Sequence, residues 1–204
     1  MTNCLFKIKF QARSPMTKMP SMDTDKLRQT IQASLDKRDA HKAIEIMCEN
    51  ASARQLVWWG CLCAWSTWRP QPPIIEDTAI GIASRWILLG GDEHRRDAAN
   101  ALQTDRVGKC RSLLSAVVNS GGQLQLDSTS HVQPTPDLTN RFVFGFIHTL
   151  IGGAGPVRQY EVADHFIQVA VQMIASSASG PQPTPVPMPS VQPIAPVFLP
   201  VSSL

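Results

Sequence analysis

The residues of this sequence with the widest chemical range are its five cysteines, Cys4, Cys48, Cys61, Cys63 and Cys110. Such thiols can bind metal ions, form disulfides or act as nucleophiles. Their number is odd and no two form a CxxC pair, which favours free thiols in a reducing compartment. Cys61 and Cys63 are about 200° apart around a helix axis, so they cannot both bind one metal ion. The sequence therefore predicts buried thiols and no metal site.

Nucleophilic catalysis would require an activated serine or cysteine beside a base. Cys110 is the thiol with cationic neighbours in sequence, Lys109 and Arg111, and such neighbours can favour the thiolate. The sequence contains no GxSxG elbow and no phosphate-binding glycine loop after a strand. An enzyme would have to assemble its pocket from distant residues, with Cys110, His148 and His165 as the candidates. The leading expectation is a protein that is not an enzyme and holds no cofactor.

The tryptophans could form a stacking platform for bases or sugars, but their positions favour a core. Three of them lie within residues 56–65, a run that is apolar around the whole circumference of a helix. A helix without a polar face must be surrounded by other elements, so its indoles are expected to pack in the interior. Trp68, beside Arg69 and a proline-rich turn, is expected to reach the surface and is a candidate partner-binding residue.

The distribution of charge argues against a nucleic-acid binding domain. The net charge is +3, but residues 1–22 hold four basic residues and no acid. Residues 23–204 therefore carry 15 basic and 16 acidic residues, whereas a nucleic-acid binding fold spreads basic residues over one face. Arg95 and Arg96 form either a solvated helix face or a contact for an acidic partner. A weak binder of anionic surfaces, using this pair and residues 1–22, remains an alternative function.

Composition divides the chain into three parts. Residues 1–22 form a basic leader, either disordered or a short edge strand, and residues 23–177 form a helical domain. Residues 178–204 form a disordered proline-rich tail, which holds no charged group and should sample extended polyproline conformations. The apolar and proline residues of this tail are candidates for docking in a partner's groove, with Pro185, Pro187, Phe198 and Leu199 as the residues of interest.

Apolar periodicity predicts an all-α fold, a compact bundle of seven to eight helices in successive antiparallel hairpins. Asp39 should cap the second helix, and Ser52 with Gln55 should form a capping box before the third, central helix. Three later helices are expected to begin at Asp92, at Thr135-Pro136 and at Gly155-Pro156. Gly145 is expected to allow close approach of a neighbouring helix.

Two helices carry stripes that are expected to face the core. The stripe of the fourth helix consists of Ile75, Ala79, Ile82, Ala83, Trp86 and Ile87. The stripe of the last helix consists of Tyr160, Ala163, Ile167, Ala170 and Ile174. Residues 123–134 lack a helical period and are expected to form a loop.

Four segments resemble an uncharacterised bacterial family of all-helical domains whose central helix carries a Trp-Trp-x-Cys signature. The segments are Gln55–Cys63, Ala83–Trp86, His94–Ala99 and Pro136–Arg141. The resemblance spans about residues 40–175 and implies a helical domain, together with an association with type VI secretion genes. It implies no activity, because no catalytic residues are established for the family. The segment of residues 112–134 is shorter and more polar than the corresponding segment in the family.

These observations predict a non-enzymatic protein-interaction module, an accessory or adaptor of a bacterial secretion system. Cytoplasmic residence is expected, because lysines interrupt the apolar stretch near the N-terminus that a secretory signal would need. The longest apolar runs, residues 56–65 and 142–155, fall short of the ~20 residues that a bilayer span requires. We expect a protein partner, no specific nucleic acid and no membrane span, while the sequence leaves the oligomeric state open.

Overall fold

The computed structural model describes residues 23–104, 107–121, 124–125, 131–132, 135 and 137–178. Within this part the protein is all-α, as predicted, and contains eight α-helices. They are α1 (Thr24–Asp36), α2 (Ala40–Asn50), α3 (Ala53–Thr67), α4 (Ile74–Leu89), α5 (Gly91–Leu102), α6 (Arg111–Val118), α7 (Leu138–Gly153) and α8 (Gln159–Ala178). A 3-10 turn at Gly108–Cys110 precedes α6. The predictions for the leader and the tail lie outside the described residues.

The capping signals before α2 and α3 were predicted correctly. The Asp39 carboxylate accepts a hydrogen bond from the Lys42 amide at 2.9 Å. At α3, the Gln55 amide donates to the Ser52 hydroxyl at 3.3 Å, and the Ser52 amide donates to the Gln55 side chain at 2.9 Å. This reciprocal pair satisfies two amides that a helix N-terminus leaves without an intrahelical partner.

The prediction that Asp92 caps α5 was wrong. Gly90 precedes the helix and also ends α4, with a φ of +67° that a residue without a Cβ adopts freely. Asp92 lies within the first turn, where its carboxylate binds the guanidinium of Arg95 in place of a backbone amide. The helix therefore begins one residue before the predicted cap.

The helices α7 and α8 begin later than Thr135-Pro136 and Gly155-Pro156 predicted. The Leu138 amide donates to the Thr135 carbonyl, and the Arg158 amide donates to the Gly155 carbonyl. Each bond joins residues three apart and closes a turn before the helix, and the first helical residues are Leu138 and Gln159. Both helices start at the end of that turn.

Helix α3 lies at the centre of the fold and packs against α4, α6, α7 and α8. Its buried residues are Leu56, Val57, Trp59, Gly60, Cys61, Cys63 and Ala64. Trp58, Leu62 and Trp65 are only half-buried, and their spacing places them on one face of the helix. The prediction that neighbours enclose α3 on every side was therefore wrong along this stripe.

The sequence suggested that Gly145 allows close helix packing, but the glycine that does so is Gly60. A Cβ atom added at Gly60 would lie 2.7 Å from Cδ1 of Leu113 on α6 and 3.6 Å from Cδ1 of Phe146 on α7. The same atom added at the exposed Gly145 would meet nothing within 4 Å. Because α3 is central, its glycine is the one that faces two other helices.

Two further expectations need correction. Tyr160 was expected to face the core but is half-exposed, because it lies in the first turn of α8 beside the exposed Val157. Residues 123–134 were expected to form a loop, whereas Leu124–Gln125 pairs antiparallel with His131–Val132. Strands of two residues are too short to give an alternating pattern that a sequence can reveal.

Candidate functional site

The four cysteines that the structure describes are free and buried in the core. Burial is the first cause that raises the pKa of each thiol, because it disfavours the charged thiolate. The pKa of Cys48 and that of Cys61 each rise to about 12. Those of Cys63 and Cys110 also lie above the ordinary range, with the Coulombic effect of Cys61 as the second cause. All four thiols therefore stay protonated at neutral pH.

Cys110, the candidate nucleophile, is fully buried despite its cationic sequence neighbours. Its Sγ atom lies 4.0 Å from the carbonyl oxygen of Glu76 on α4, to which the thiol donates a weak hydrogen bond. Lys109 and Arg111 are exposed, and the Lys109 amide donates to the Glu76 carboxylate at 3.5 Å. The cationic side chains that could have favoured a thiolate therefore lie at the surface, while the thiol lies in the core.

His148 belongs to a cluster of rings between α2 and α7. The centroid of its ring lies 4.4 Å from that of Phe144 and 5.1 Å from that of His41. Its Nε2 atom is buried and accepts or donates no hydrogen bond. Burial, and then the proximity of His41, lower the pKa of His148. No sequence pattern indicates this cluster, because His41 and His148 are 107 residues apart in the chain.

The three residues considered for an enzyme are not brought together. His165 is exposed on α8, where its ring lies 6.1 Å from that of its neighbour Phe166. No hydrogen bond, ion pair or ring contact joins Cys110, His148 and His165 within the described part of the chain. Across the same residues, no group of three or more His, Cys, Asp or Glu side chains has the geometry to hold a metal ion.

The two arginines proposed for an acidic partner lie in different environments. Arg96 is exposed, whereas Arg95 is only 7% exposed and does not belong to a solvated helix face. The Arg95 guanidinium binds the Asp92 carboxylate and donates to the carbonyl oxygens of Val118, at 3.3 Å, and of Gly121. Arg95 thus binds backbone carbonyls where α6 ends, a position that favours a cation.

Among the other partner-binding candidates, Trp68 is half-buried at the C-terminal end of α3, and Arg69 beside it is exposed. Trp68 is thus partly accessible, in agreement with the expectation that it reaches the surface. Pro185, Pro187, Phe198 and Leu199 lie outside the described residues.

Helix α4 exposes more large apolar side chains than its sequence stripe predicted. Ile74 is 83% exposed, Ile75 45%, Leu88 53% and Leu89 68%. At 100° per residue these four positions fall on one side of the helix, within a sector of about 160° that holds five more residues. We call this sector the α4 outer face, and it consists of Ile74, Ile75, Asp77, Thr78, Gly81, Ile82, Arg85, Leu88 and Leu89.

The centre of the α4 outer face is flat and is flanked by opposite charges. A Cβ atom added at Gly81 would meet nothing within 4 Å. Asp77 and Arg85 are exposed on either side of it, and neither side chain forms a hydrogen bond or ion pair within the part of the chain that the structure describes. Both charges are therefore available to a molecule that covers this face.

Sequence reasoning missed this face because it placed the apolar stripe of α4 on one side only. Ala79, Ala83 and Trp86 are buried as predicted, but Ile75 is exposed, and Ile80, outside the predicted stripe, is buried. The available signal was that α4, like α3, carries aliphatic residues all around its axis. Such a helix either lies in the interior or leaves one apolar side for another molecule.

Comparison with known proteins places the chain in one family. The family described as a family of unknown function (DUF6931) matches residues 30–174. No curated protein and no solved structure matches the chain. Within the described residues, no helix combines the length and apolarity needed to cross a membrane.

Proposed function

The chain belongs to DUF6931, a family of unknown function, and from this premise we propose that it is a non-enzymatic protein-interaction module. We place it in the cytoplasm, as an adaptor or accessory of a bacterial secretion system. The observation that carries the proposal is the α4 outer face, which presents large aliphatic side chains to solvent at both ends of one helix.

Single exposed aliphatic residues are ordinary on a protein surface, but four on the same side of one helix call for an explanation. Ile74, Ile75, Leu88 and Leu89 are exposed together on one helix, so a partner could remove all four from water in one contact. Full burial of such a side chain contributes about 1.5–3 kcal/mol before the costs of association are subtracted. A partner that covers this face thus gains several kcal/mol from apolar burial.

The state of the chemically reactive residues favours binding over catalysis. The four described thiols are protonated and packed in the core, and His148 lies between other rings. Free thiols are also the form that a reducing compartment maintains, which supports the cytoplasmic part of the proposal. The proline-rich residues of the tail add a second segment able to dock at low cost in conformational entropy.

The test is affinity capture from the native host, followed by mass spectrometry, with four forms of the chain. They are the intact chain, Ile74→Glu with Leu88→Glu, a chain ending at residue 180, and Val157→Glu. Val157 is 93% exposed but lies before α8, so its variant controls for the loss of an exposed aliphatic side chain. We expect the intact chain and the control to capture the same proteins, including secretion components.

The double variant is expected to lose proteins that bind the α4 outer face, and the shortened chain those that bind the tail. Thermal unfolding should be nearly unchanged in the double variant, because Ile74 and Leu88 are exposed. It should also be nearly unchanged in the shortened chain if the tail serves only to bind a partner. Equal capture by all four forms would refute the proposal. A small-molecule substrate converted by the purified chain would refute its non-enzymatic part.

A further inference from the structure

We propose that the α4 outer face binds a second copy of this chain, with the two α4 helices antiparallel and crossing at Gly81. The inference rests on the proposed function and deepens it, because it names the partner of the same face. It is argued from the positions of apolar and charged residues relative to Gly81.

Two of the four exposed aliphatic residues of the face are placed symmetrically about Gly81. Ile74 and Leu88 are each seven residues from it, about 10 Å along the helix axis in opposite directions. When two such helices are related by a two-fold axis at Gly81, Ile74 of one copy lies level with Leu88 of the other. The same holds at the opposite end, so each exposed end of the face meets an apolar side chain.

The charged residues follow the same symmetry with opposite signs. Asp77 and Arg85 are each four residues from Gly81, so Asp77 of one copy lies level with Arg85 of the other. An antiparallel dimer therefore contains two pairs of opposite charge. A parallel pair in register would place Asp77 beside Asp77 and Arg85 beside Arg85, which like-charge repulsion disfavours. The face is thus complementary in charge to a second copy of itself, in the antiparallel direction.

Gly81 supplies the remaining requirement, which is room for the two helices to approach. Nothing occupies the space beside its Cα atom, and a glycine at the crossing point lets two helix axes come within about 8 Å of each other. The neighbouring Thr78 and Ile82 lie on the same side of the helix and would line the crossing.

The size of the face sets the expected strength of the dimer. It extends about 22 Å, the length from Ile74 to Leu89, with a width of about 10 Å. A contact of that size lies at or below the low end of the areas buried in specific complexes, which suits a dissociation constant of roughly 1–100 µM. The dimer should therefore form and dissociate readily over that concentration range.

The first measurement is sedimentation velocity of the full chain from about 5 to about 200 µM, a range set by the expected affinity. We expect a monomer–dimer equilibrium that shifts with concentration. Ile74→Glu combined with Leu88→Glu places like charges level with each other and should weaken dimerisation at least about tenfold. Val157→Glu, the control outside α4, should leave the dissociation constant unchanged.

The second measurement exchanges the charges. Asp77→Arg alone or Arg85→Asp alone turns attraction into repulsion twice per dimer, and each should weaken dimerisation about three- to tenfold. The double variant restores both pairs and should return the dissociation constant to within about twofold of the parent. Asp25→Arg is the matched control, because it removes an exposed acidic residue from the first turn of α1. It should have no effect on dimerisation.

Three results would overturn the inference: a chain that remains monomeric up to about 200 µM, a dimer unaffected by Ile74→Glu with Leu88→Glu, or a charge exchange that fails to restore binding. Host capture then separates this inference from the proposed function. If the chain is monomeric but the same double variant loses a host protein, the face binds another protein and only the inference fails. If dimerisation does not respond to the double variant and all four forms of the chain capture the same host proteins, both fail.

Discussion

The indole Nε1 of Trp59 donates a hydrogen bond to the backbone carbonyl oxygen of Phe166 at 2.8 Å, in the interior of the protein. The bond joins α3 to α8 across the core and satisfies the only donor of the Trp59 side chain. A fully buried indole is stable only when that donor has a partner. The contact therefore fixes how the last helix lies on the central one.

Replacing Trp59 by Phe should lower the free energy of unfolding by roughly 2–3 kcal/mol, because it removes a buried hydrogen bond and leaves part of the indole volume empty. Chemical denaturation followed by circular dichroism measures the change. Trp65→Phe is the matched control, since that indole is half-buried, and its loss should stay below about 1 kcal/mol. Equal losses in the two variants would contradict the role assigned to the Trp59 bond.

Two glycines in helix interiors should respond in opposite directions to alanine. Gly145→Ala is expected to raise the free energy of unfolding by up to about 1 kcal/mol, because alanine favours the helix and its Cβ meets open space. Gly60→Ala gains the same propensity but must displace the buried Leu113, which costs about 1–3 kcal/mol. The midpoint temperature of thermal unfolding should therefore be higher for Gly145→Ala than for Gly60→Ala. The reverse order would contradict the packing described for α3.

The sequence predicted what depends on neighbouring residues along the chain. The capping box at Ser52 and Gln55 and the cap at Asp39 involve atoms three residues apart, so their residue types were sufficient evidence. The position of Gly145 and Gly60 against other helices could not be judged in this way. Both are helical glycines, and only the three-dimensional arrangement shows which of them faces a neighbour.

The candidate binding face shows the same limit. Because α4 carries aliphatic residues on more than one side, periodicity could not decide which side other elements would cover, and Ile75 was placed in the core. The charges that flank the α4 outer face, Asp77 and Arg85, are unremarkable in sequence. They gained significance once Gly81 between them was found to border open space.

Acid should destabilise the protein through His148. Because burial and His41 lower its native pKa below the ordinary 6.5, the unfolded chain takes up a proton as pH falls through 6.5 while the native chain does not. The free energy of unfolding should therefore be highest above pH 6.5 and fall between that pH and the lowered native pKa. Denaturation at a series of pH values measures this slope.

His148→Phe should reduce that slope, because the variant has no imidazole to protonate at this position. His165→Phe is the control, since the His165 ring is exposed on α8, and it should keep the slope of the parent. A slope that is the same in all three proteins would show that His148 does not cause the acid sensitivity.

The two adjacent arginines of α5 should differ strongly in their effect on stability. Arg95→Met removes the donor to the Val118 and Gly121 carbonyl oxygens and leaves Asp92 without its partner, so it should cost about 1–3 kcal/mol. Arg96→Met changes an exposed side chain and should stay within about 0.5 kcal/mol of the parent. Urea denaturation of both variants measures the two changes in the free energy of unfolding. If Arg95 and Arg96 both lay on a solvated helix face, the two changes would be equally small.

The buried thiols should react only when the protein opens. In a Cys4→Ser chain, whose remaining cysteines are the four described ones, a chromogenic thiol reagent should react at least about 100-fold more slowly than in denaturant. The reason is twofold, since each thiol is shielded from the reagent and burial keeps it protonated. Urea at concentrations below the unfolding transition should raise the reaction rates of all four thiols together if opening of the protein limits the reaction. A single thiol that reacts rapidly in the native chain, identified as Cys110 by mass spectrometry, would instead support an activated nucleophile and the enzymatic alternative.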